Sequence, residues 1–418
     1  MDISNPPTVQ ERAPLSVPFR IFCCIVLFLC SGTIPVLPYY INQLQPEQAF
    51  SGFTIPAYIG IGTLVLCAIF FLILCRKPVF LVCTAVATVL IFVFSPYLSV
   101  LFLALLGASI AGAALLADAR GYVYALYALP VIAAYALAFF LTSSPILAML
   151  ALLPAFAAIA LGICTRKKIS VIVTIGTTSA VLAFAILIFL AVDLLVAGMP
   201  FSVEGIKGVI KDVHTWTSAQ YAQALTLMME ASKEWAAQIT QMFGGEVTPE
   251  KMTEFCDSVA SATLGFAPGT AIMLLWIFSF IAQRGYTALL VRGLPKQSYP
   301  RHLIEYAPSL PTAVFLILCY AVMLISALIP GGETVAFIAI NVLLVLIPLL
   351  SVSGILGIIA NFKRATFKWP MIITYLIAVI FLGIGIIPML SFFGAFGVIM
   401  QALAGWIERK MKSSNGGQ

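Results

Sequence analysis

Runs of about twenty mostly apolar residues recur along nearly the whole of this chain, and they leave few folds open to it. A helix needs about 20 such residues to cross a ~30 Å hydrocarbon layer. Within hydrocarbon, every backbone N–H and C=O must find its partner inside the protein, which a helix achieves by itself. The runs fall at about 19–40, 52–75, 78–94, 97–117, 121–141, 146–164 and 169–197, and again at 266–291, 309–329, 334–360, 370–388 and 390–407. They predict an all-α, polytopic transmembrane helix bundle of about 12 spans, or 10–12 if the divisions at Ser95-Pro96 and near Pro388 are not real breaks.

Composition excludes the soluble alternative. Of 418 residues, 62% are hydrophobic and 9% charged, whereas a soluble domain carries about 25% charged residues. Too few polar side chains exist to cover a water-facing surface. The net charge of +6 does not mark a nucleic-acid partner, because the basic residues stand in short loops between spans, where they set orientation. Eight of the nine cysteines lie in or at the ends of apolar runs, and only Cys256 falls in a polar stretch. No CxxC or mixed Cys/His spacing predicts a metal site.

Loop charge checks the span count independently. With the N-terminus placed in the cytoplasm and loops taken alternately, one side receives eighteen Lys and Arg, from Arg12, Arg20, Arg76 and Lys77 to Arg409, Lys410 and Lys412. The other receives four, all in its one long segment: Lys207, Lys211, Lys233 and Lys251. This positive-inside asymmetry would scramble if one span were wrongly divided. It predicts two cytoplasmic termini. Residues 19–40 read as a first, uncleaved helix, since Leu27-Phe28-Leu29-Cys30 is too bulky for a lipoprotein cleavage site. The chain has no Asn-x-Ser/Thr acceptor, which fits a bacterial cytoplasmic membrane. The predicted organisation is a cytoplasmic tail (1–18), an N-terminal bundle (19–197), an extracytoplasmic segment (198–265), a C-terminal bundle (266–407) and a cytoplasmic tail (408–418).

The segment 198–265 is different in kind, with eight acidic residues against four lysines. Val203, Ile206, Val209, Ile210, Val213 and Trp216 recur mostly three or four apart, as do Leu225, Met228, Trp235, Ile239 and Met242, with Ser232 the polar gap. This is the spacing of an amphipathic helix. Gly244-Gly245 ends it, Thr248 offers an N-cap and Pro249 suits a first helical position. An amphipathic helical hairpin results, its apolar stripe packing on the bundle or the bilayer.

No reaction motif is present: no Gly-x-Ser-x-Gly, His-Glu-x-x-His, Walker loop or Gly-x-Gly-x-x-Gly. The two histidines, His214 and His302, fall on opposite predicted sides. No catalytic residue, cofactor or metal is expected, and the chain does not read as an enzyme. Charges within a bilayer suggest function by default, and the candidates for substrate or ion contact are Asp193, late in the seventh span, and Asp118 with Arg120, at the turn between the fourth and fifth. Each also lies close enough to a helix end to reach headgroups. Gly107 with Ala111, and Ala108 with Gly112, form small-xxx-small pairs, which let helix backbones approach in lipid. They are candidate helix-docking residues, within the chain or toward another subunit.

The C-terminal half carries a recognisable order. Pro268 opens a span ending in Gln283-Arg284-Gly285-Tyr286. Arg292-Gly293-Leu294-Pro295 and then His302-Leu303-Ile304-Glu305-Tyr306-Ala307-Pro308-Ser309-Leu310-Pro311 follow, with Asn341, Gly354-Ile355-Leu356-Gly357-Ile358-Ile359, Lys363-Arg364, Gly394 and Glu408-Arg409-Lys410 further on. This order resembles the YybS-like family of bacterial membrane proteins, a domain of unknown function, most clearly over about 260–410. The chain has Tyr306 where that pattern leads one to expect tryptophan. The N-terminal spans bear a looser similarity to substrate-binding membrane subunits of energy-coupling-factor transporters and to rod-shape membrane proteins. The family brings no established activity. The polytopic bundle, the small-residue strip and the looser subunit similarity together lead one to expect a non-catalytic component that binds or passes a small solute, with the lipid bilayer, other membrane subunits or a separate ATPase as partners. A structural or assembly role in the cell envelope is the alternative.

Overall fold

The computed structural model describes residues 16–43, 54–74, 78–94, 96–117, 123–196, 198, 202–245, 247–291, 300–364 and 386–415. Among these there is no strand. The helices are α1 (Val17–Asn42), α2 (Ile55–Leu74), α3 (Pro78–Phe94), α4 (Pro96–Ala117), α5 (Val123–Thr142), α6 (Pro145–Met149), α7 (Leu153–Arg166), α8 (Val171–Val196), α9 (Val203–Ala231), α10 (Lys233–Met242), α11 (Pro249–Leu290), α12 (Arg301–Ile304), α13 (Leu310–Leu328), α14 (Glu333–Arg364) and α15 (Ile386–Asn415). Nine stretches among the described residues are long and apolar enough to cross a membrane, and two shorter apolar helices, Phe80–Val89 and Leu310–Ser326, accompany them. They coincide with eleven of the twelve expected spans. The remaining one, 370–388, lies outside the described residues except for the last three positions, which open α15. The chain is a multi-pass helical membrane protein.

Local chemistry sets the helix ends. Ser144 and Ser309 sit in extended conformation ahead of Pro145 and Pro311, and their hydroxyls accept from the N–H groups of Leu147 (3.3 Å) and Thr312 (3.4 Å). Proline at the helix start loses no hydrogen bond that the helix would have made. The sixth expected span is not one uniform helix. Its first turn, α6, passes through a short 3-10 stretch, Leu150–Leu152, into α7, with Pro154 in the first turn of α7.

The chain divides into two compact units. The first comprises Met1–Leu190 with Ile277–Glu305, and the second Ala191–Trp276 with Tyr306–Gln418. The division therefore passes through α8 and α11 rather than near 197 and 265.

The first unit is organised around α4, whose residues from Leu106 to Leu116 are all buried. Helices α1, α5 and α7 pack on it, along with α2 and α3. Leu27 and Leu37 of α1, Ile110 and Leu115 of α4 and Leu161 of α7 are fully enclosed. Arg166, at the end of α7, ties three helix ends together. It donates to the Tyr124 hydroxyl (2.8 Å) and the Leu116 carbonyl, and its guanidinium stacks over the Tyr124 ring.

In the second unit, α13, α14 and α15 share an apolar core that includes Leu316, Leu343, Leu350 and Ala395. Helices α14 and α15 touch backbone to backbone. A Cβ at Gly394 would collide with the Leu350 carbonyl oxygen, and one at Gly354 with that of Leu390. Ser351 donates across the same contact to the Ile387 carbonyl at 3.0 Å.

The polar segment departs from its expected outline at two places. Ser232 is a break rather than a gap in one helix: its backbone is extended and its hydroxyl accepts from Glu234 N–H at 3.2 Å, capping α10. Gly244 and Gly245 do end α10, both at positive φ (74° and 118°), where a side chain would be strained. Thr248 then accepts from Lys251 N–H at 3.4 Å. From Pro249 the helix does not stop at 265. The second arm and the eighth span form one helix of 42 residues.

Candidate functional site

The sequence-predicted positions separate clearly. Asp193 is exposed, one turn before the end of α8. Asp118 and Arg120 lie outside the described residues. Gly107, Ala108, Ala111 and Gly112 are all buried in α4, and the chain's own helices cover them. A Cβ on Gly107 would meet the Cys67 and Cys30 sulfurs at 3.3 and 3.8 Å, and one on Gly112 would meet Ala158 at 2.9 Å and the Tyr127 ring at 3.2 Å. The strip packs α4 against α1, α2, α5 and α7.

Small polar groups line two of these contacts. The Cys30 and Cys67 sulfurs lie 3.6 Å apart, and the Thr33 and Thr63 hydroxyls 3.0 Å apart, between α1 and α2. Tyr127 donates to the Ala155 carbonyl at 2.8 Å. These groups satisfy one another and leave nothing for a ligand.

A different polar line was missed from the sequence. In the first unit α11 carries Ser279, Gln283 and Thr287 at successive four-residue steps, all buried. Four residues of helix rise about 6 Å and return to nearly the same face. Gln283 Nε2 donates to Thr287 Oγ1 (2.9 Å) and to the Leu303 carbonyl (3.2 Å), and Thr287 also reaches that carbonyl (3.4 Å). The other half of the amide has no such outlet. Gln283 Oε1 and Ser279 Oγ are enclosed and have no hydrogen-bond partner among the described residues. A buried polar atom left unpaired costs about 1–3 kcal/mol, so two on consecutive turns of a spanning helix demand a reason. Apolar packing holds this part of α11 in place: Phe278 lies edge-on to Phe102, and Gly285 lets Ile110 and Phe80 close in.

The signal was present. In the sequence Gln283 stands beside Arg284 at the end of a span, where the charged side chain is the more conspicuous of the two. An amide inside an apolar run carries the same message at lower cost. The same holds for Asn341 of α14, in the second unit. Its Oδ1 accepts from Gly269 N–H (2.8 Å) while its Nδ2 donates to the Gly265 carbonyl (2.7 Å). In a regular helix those two backbone groups would bond to each other. The asparagine amide is inserted into the ladder of α11 beside Pro268, whose missing N–H already weakens the helix there.

The two histidines serve separate units. His302, near the start of α12, is partly enclosed, and burial followed by the nearby Lys168 ammonium lowers its pKa. His214 of α9 has Nε2 within 2.9 Å of Ser261 Oγ and 3.2 Å of the Asp257 carbonyl, while the Asp257 carboxylate accepts from Ser218 (2.6 Å). Among the described residues no group of three His, Cys, Asp or Glu side chains could hold a metal ion.

No family model, curated protein or solved structure matches this chain.

Proposed function

We propose that this protein is a non-catalytic membrane component that binds a small solute bearing hydrogen-bond donors and passes it across the bilayer. The observation that carries this reading is a pair of polar groups with no partner among the described residues, the Ser279 hydroxyl and the Gln283 Oε1 acceptor, one turn apart in the buried part of α11. Gln283 Oε1 calls for an N–H or O–H donor such as an amine, an amide or a nucleoside hydroxyl, and the Ser279 hydroxyl beside it can either give or accept. Polar groups within a membrane helix are expensive and by default mark a pathway or site. The membrane would be a bacterial cytoplasmic membrane with both termini inside, as the loop charges favour.

A thermal-shift panel of vitamins, nucleosides and alkylamines on the purified chain tests the reading. A true ligand at a hundred times its dissociation constant adds about 2.7 kcal/mol of stability. That shift should vanish in Gln283→Leu, whose unliganded stability combines the gain from removing an orphaned acceptor with the loss of the amide's bonds to Thr287 and the Leu303 carbonyl. A panel without effect would assign the glutamine to its bonds within the helix packing alone.

A further inference from the structure

Helix α9 sets two unlike faces side by side. Along one, His214, Ser218 and Tyr221 hydrogen-bond to Asp257, Ser261 and Thr263 of α11. Val203, Ile206, Ile210, Val213 and Trp216 form a stripe that adjoins this face and winds away from it toward Trp216, and they are exposed by 70, 42, 54, 41 and 65%. The polar contacts hold the helix to its own protein, while the large apolar side chains are left uncovered by it.

The level at which α9 is held identifies what covers them. Only five residues separate the end of α8 from Ser202, which caps α9 by accepting from Gly205 N–H. Covalent geometry limits that connection to about 21 Å, so α9 starts close to where a spanning helix leaves the hydrocarbon. Its middle is pinned as well. Asp257 is the last charged residue of α11 before Arg284, and the apolar run that crosses the membrane begins at about 266. Ser261 and Thr263, partners of His214 and Tyr221, therefore stand within about 8 Å of its start along the helix. The contacts thus place α9 at the boundary where α11 enters the bilayer. There, a helix with a Val/Ile/Trp face and Lys207 and Lys211 beside it has the composition of one lying in the interface plane, with tryptophan at headgroup depth.

We propose that Val203–Trp216 forms an in-plane membrane-surface helix whose apolar face is buried in the lipid of the leaflet it borders, so that the polar segment is anchored to the bilayer rather than standing clear in water. Lipid is the occupant because these exposed apolar side chains, flanked by Lys207 and Lys211, are held at the level where α8 ends and α11 enters its apolar run.

Tryptophan quenching in vesicles tests this. The emission of Trp216 is obtained as the difference between the wild-type chain and Trp216→Phe, a conservative change at an exposed position. Phosphatidylcholine brominated near the headgroup end of its acyl chains should remove most of that emission, while aqueous iodide should affect it little. A tryptophan introduced by Thr215→Trp in the Trp216→Phe background, on the far side of the helix from the stripe, should respond in the opposite way. Strong iodide quenching at both positions would show a helix standing in water. Protection of Trp216 from lipid and iodide alike would show a protein surface, a second copy included, on this face. Either result overturns the proposal. If the Thr215→Trp chain does not fold, the Trp216 difference spectrum decides by itself.

Discussion

At the scale of single residues, His302 has a pH dependence whose sign can be worked out. Burial disfavours its charged form, and the Lys168 ammonium acts in the same sense, so its folded-state pKa lies below the ordinary value near 6.5. Lys168 is held there by a left-handed backbone conformation (φ 55°) in the turn between α7 and α8. Between the lowered value and 6.5, the unfolded chain binds more protons than the folded one, so stability rises with pH across that window. The contribution is complete above about 6.5 and is lost as pH falls through the folded value. Melting temperatures recorded from about pH 7 down to about pH 5 should therefore decline, and His302→Gln should decline less steeply. Parallel curves for the two chains would remove His302 from the account. Residue identity was fully legible here, but the proximity of Lys168 was not, because more than a hundred residues of chain intervene.

At the scale of the helix, Asn341 governs the continuity of α11. It bonds both the Gly265 carbonyl and the Gly269 N–H, the two ends of one turn of the ladder, and it does so only because Gly269 has no side chain. A Cβ there would stand 2.7 Å from both oxygens of Asn341. Gly269→Ala should therefore destabilise by about 1–3 kcal/mol through overpacking. Asn341→Leu should cost a similar amount for two backbone groups left in an apolar setting, reduced where α11 can close its own bond. Both changes break one contact, so the double variant should lose less than the sum of the two. Thermal unfolding of the four chains in detergent measures this, and strict additivity would rule out a shared contact. The helix limits themselves were largely readable, because Ser144, Pro145, Ser309, Pro311 and Gly244-Gly245 act within one turn of where they stand. The break at Ser232 and the uninterrupted run of α11 past residue 265 were not. Ser232 can bond outward as a polar gap or inward as a cap, and Pro268 can end a helix or sit within one whose ladder another helix completes.

At the scale of the molecule, an alternating set of twelve spans returns both termini to one side. Introduced cysteines should report this in a cysteine-depleted chain probed with an impermeant maleimide. Lys167→Cys and Arg409→Cys should label from the same face of the vesicle, and Thr215→Cys from the other. Labelling of the first two from opposite faces would break the alternation and the cytoplasmic placement with it. The eleven apolar helices among the described residues follow from the sequence alone, because hydrocarbon length and the cost of unpaired backbone act on each run separately. Which helix becomes the centre does not. The strip Gly107–Ala114 announces close approach without naming its partners, and only the fold shows that α1, α2, α5 and α7 fill it. Likewise, an amide in an apolar run marks Gln283 in the sequence, but only packing shows that its Oε1 and the Ser279 hydroxyl find no partner among the described residues. Crossing a membrane is decided by the solvent around each segment, which its own residues determine. A site is decided by which distant segments exclude that solvent together, and that information exists only once they have packed.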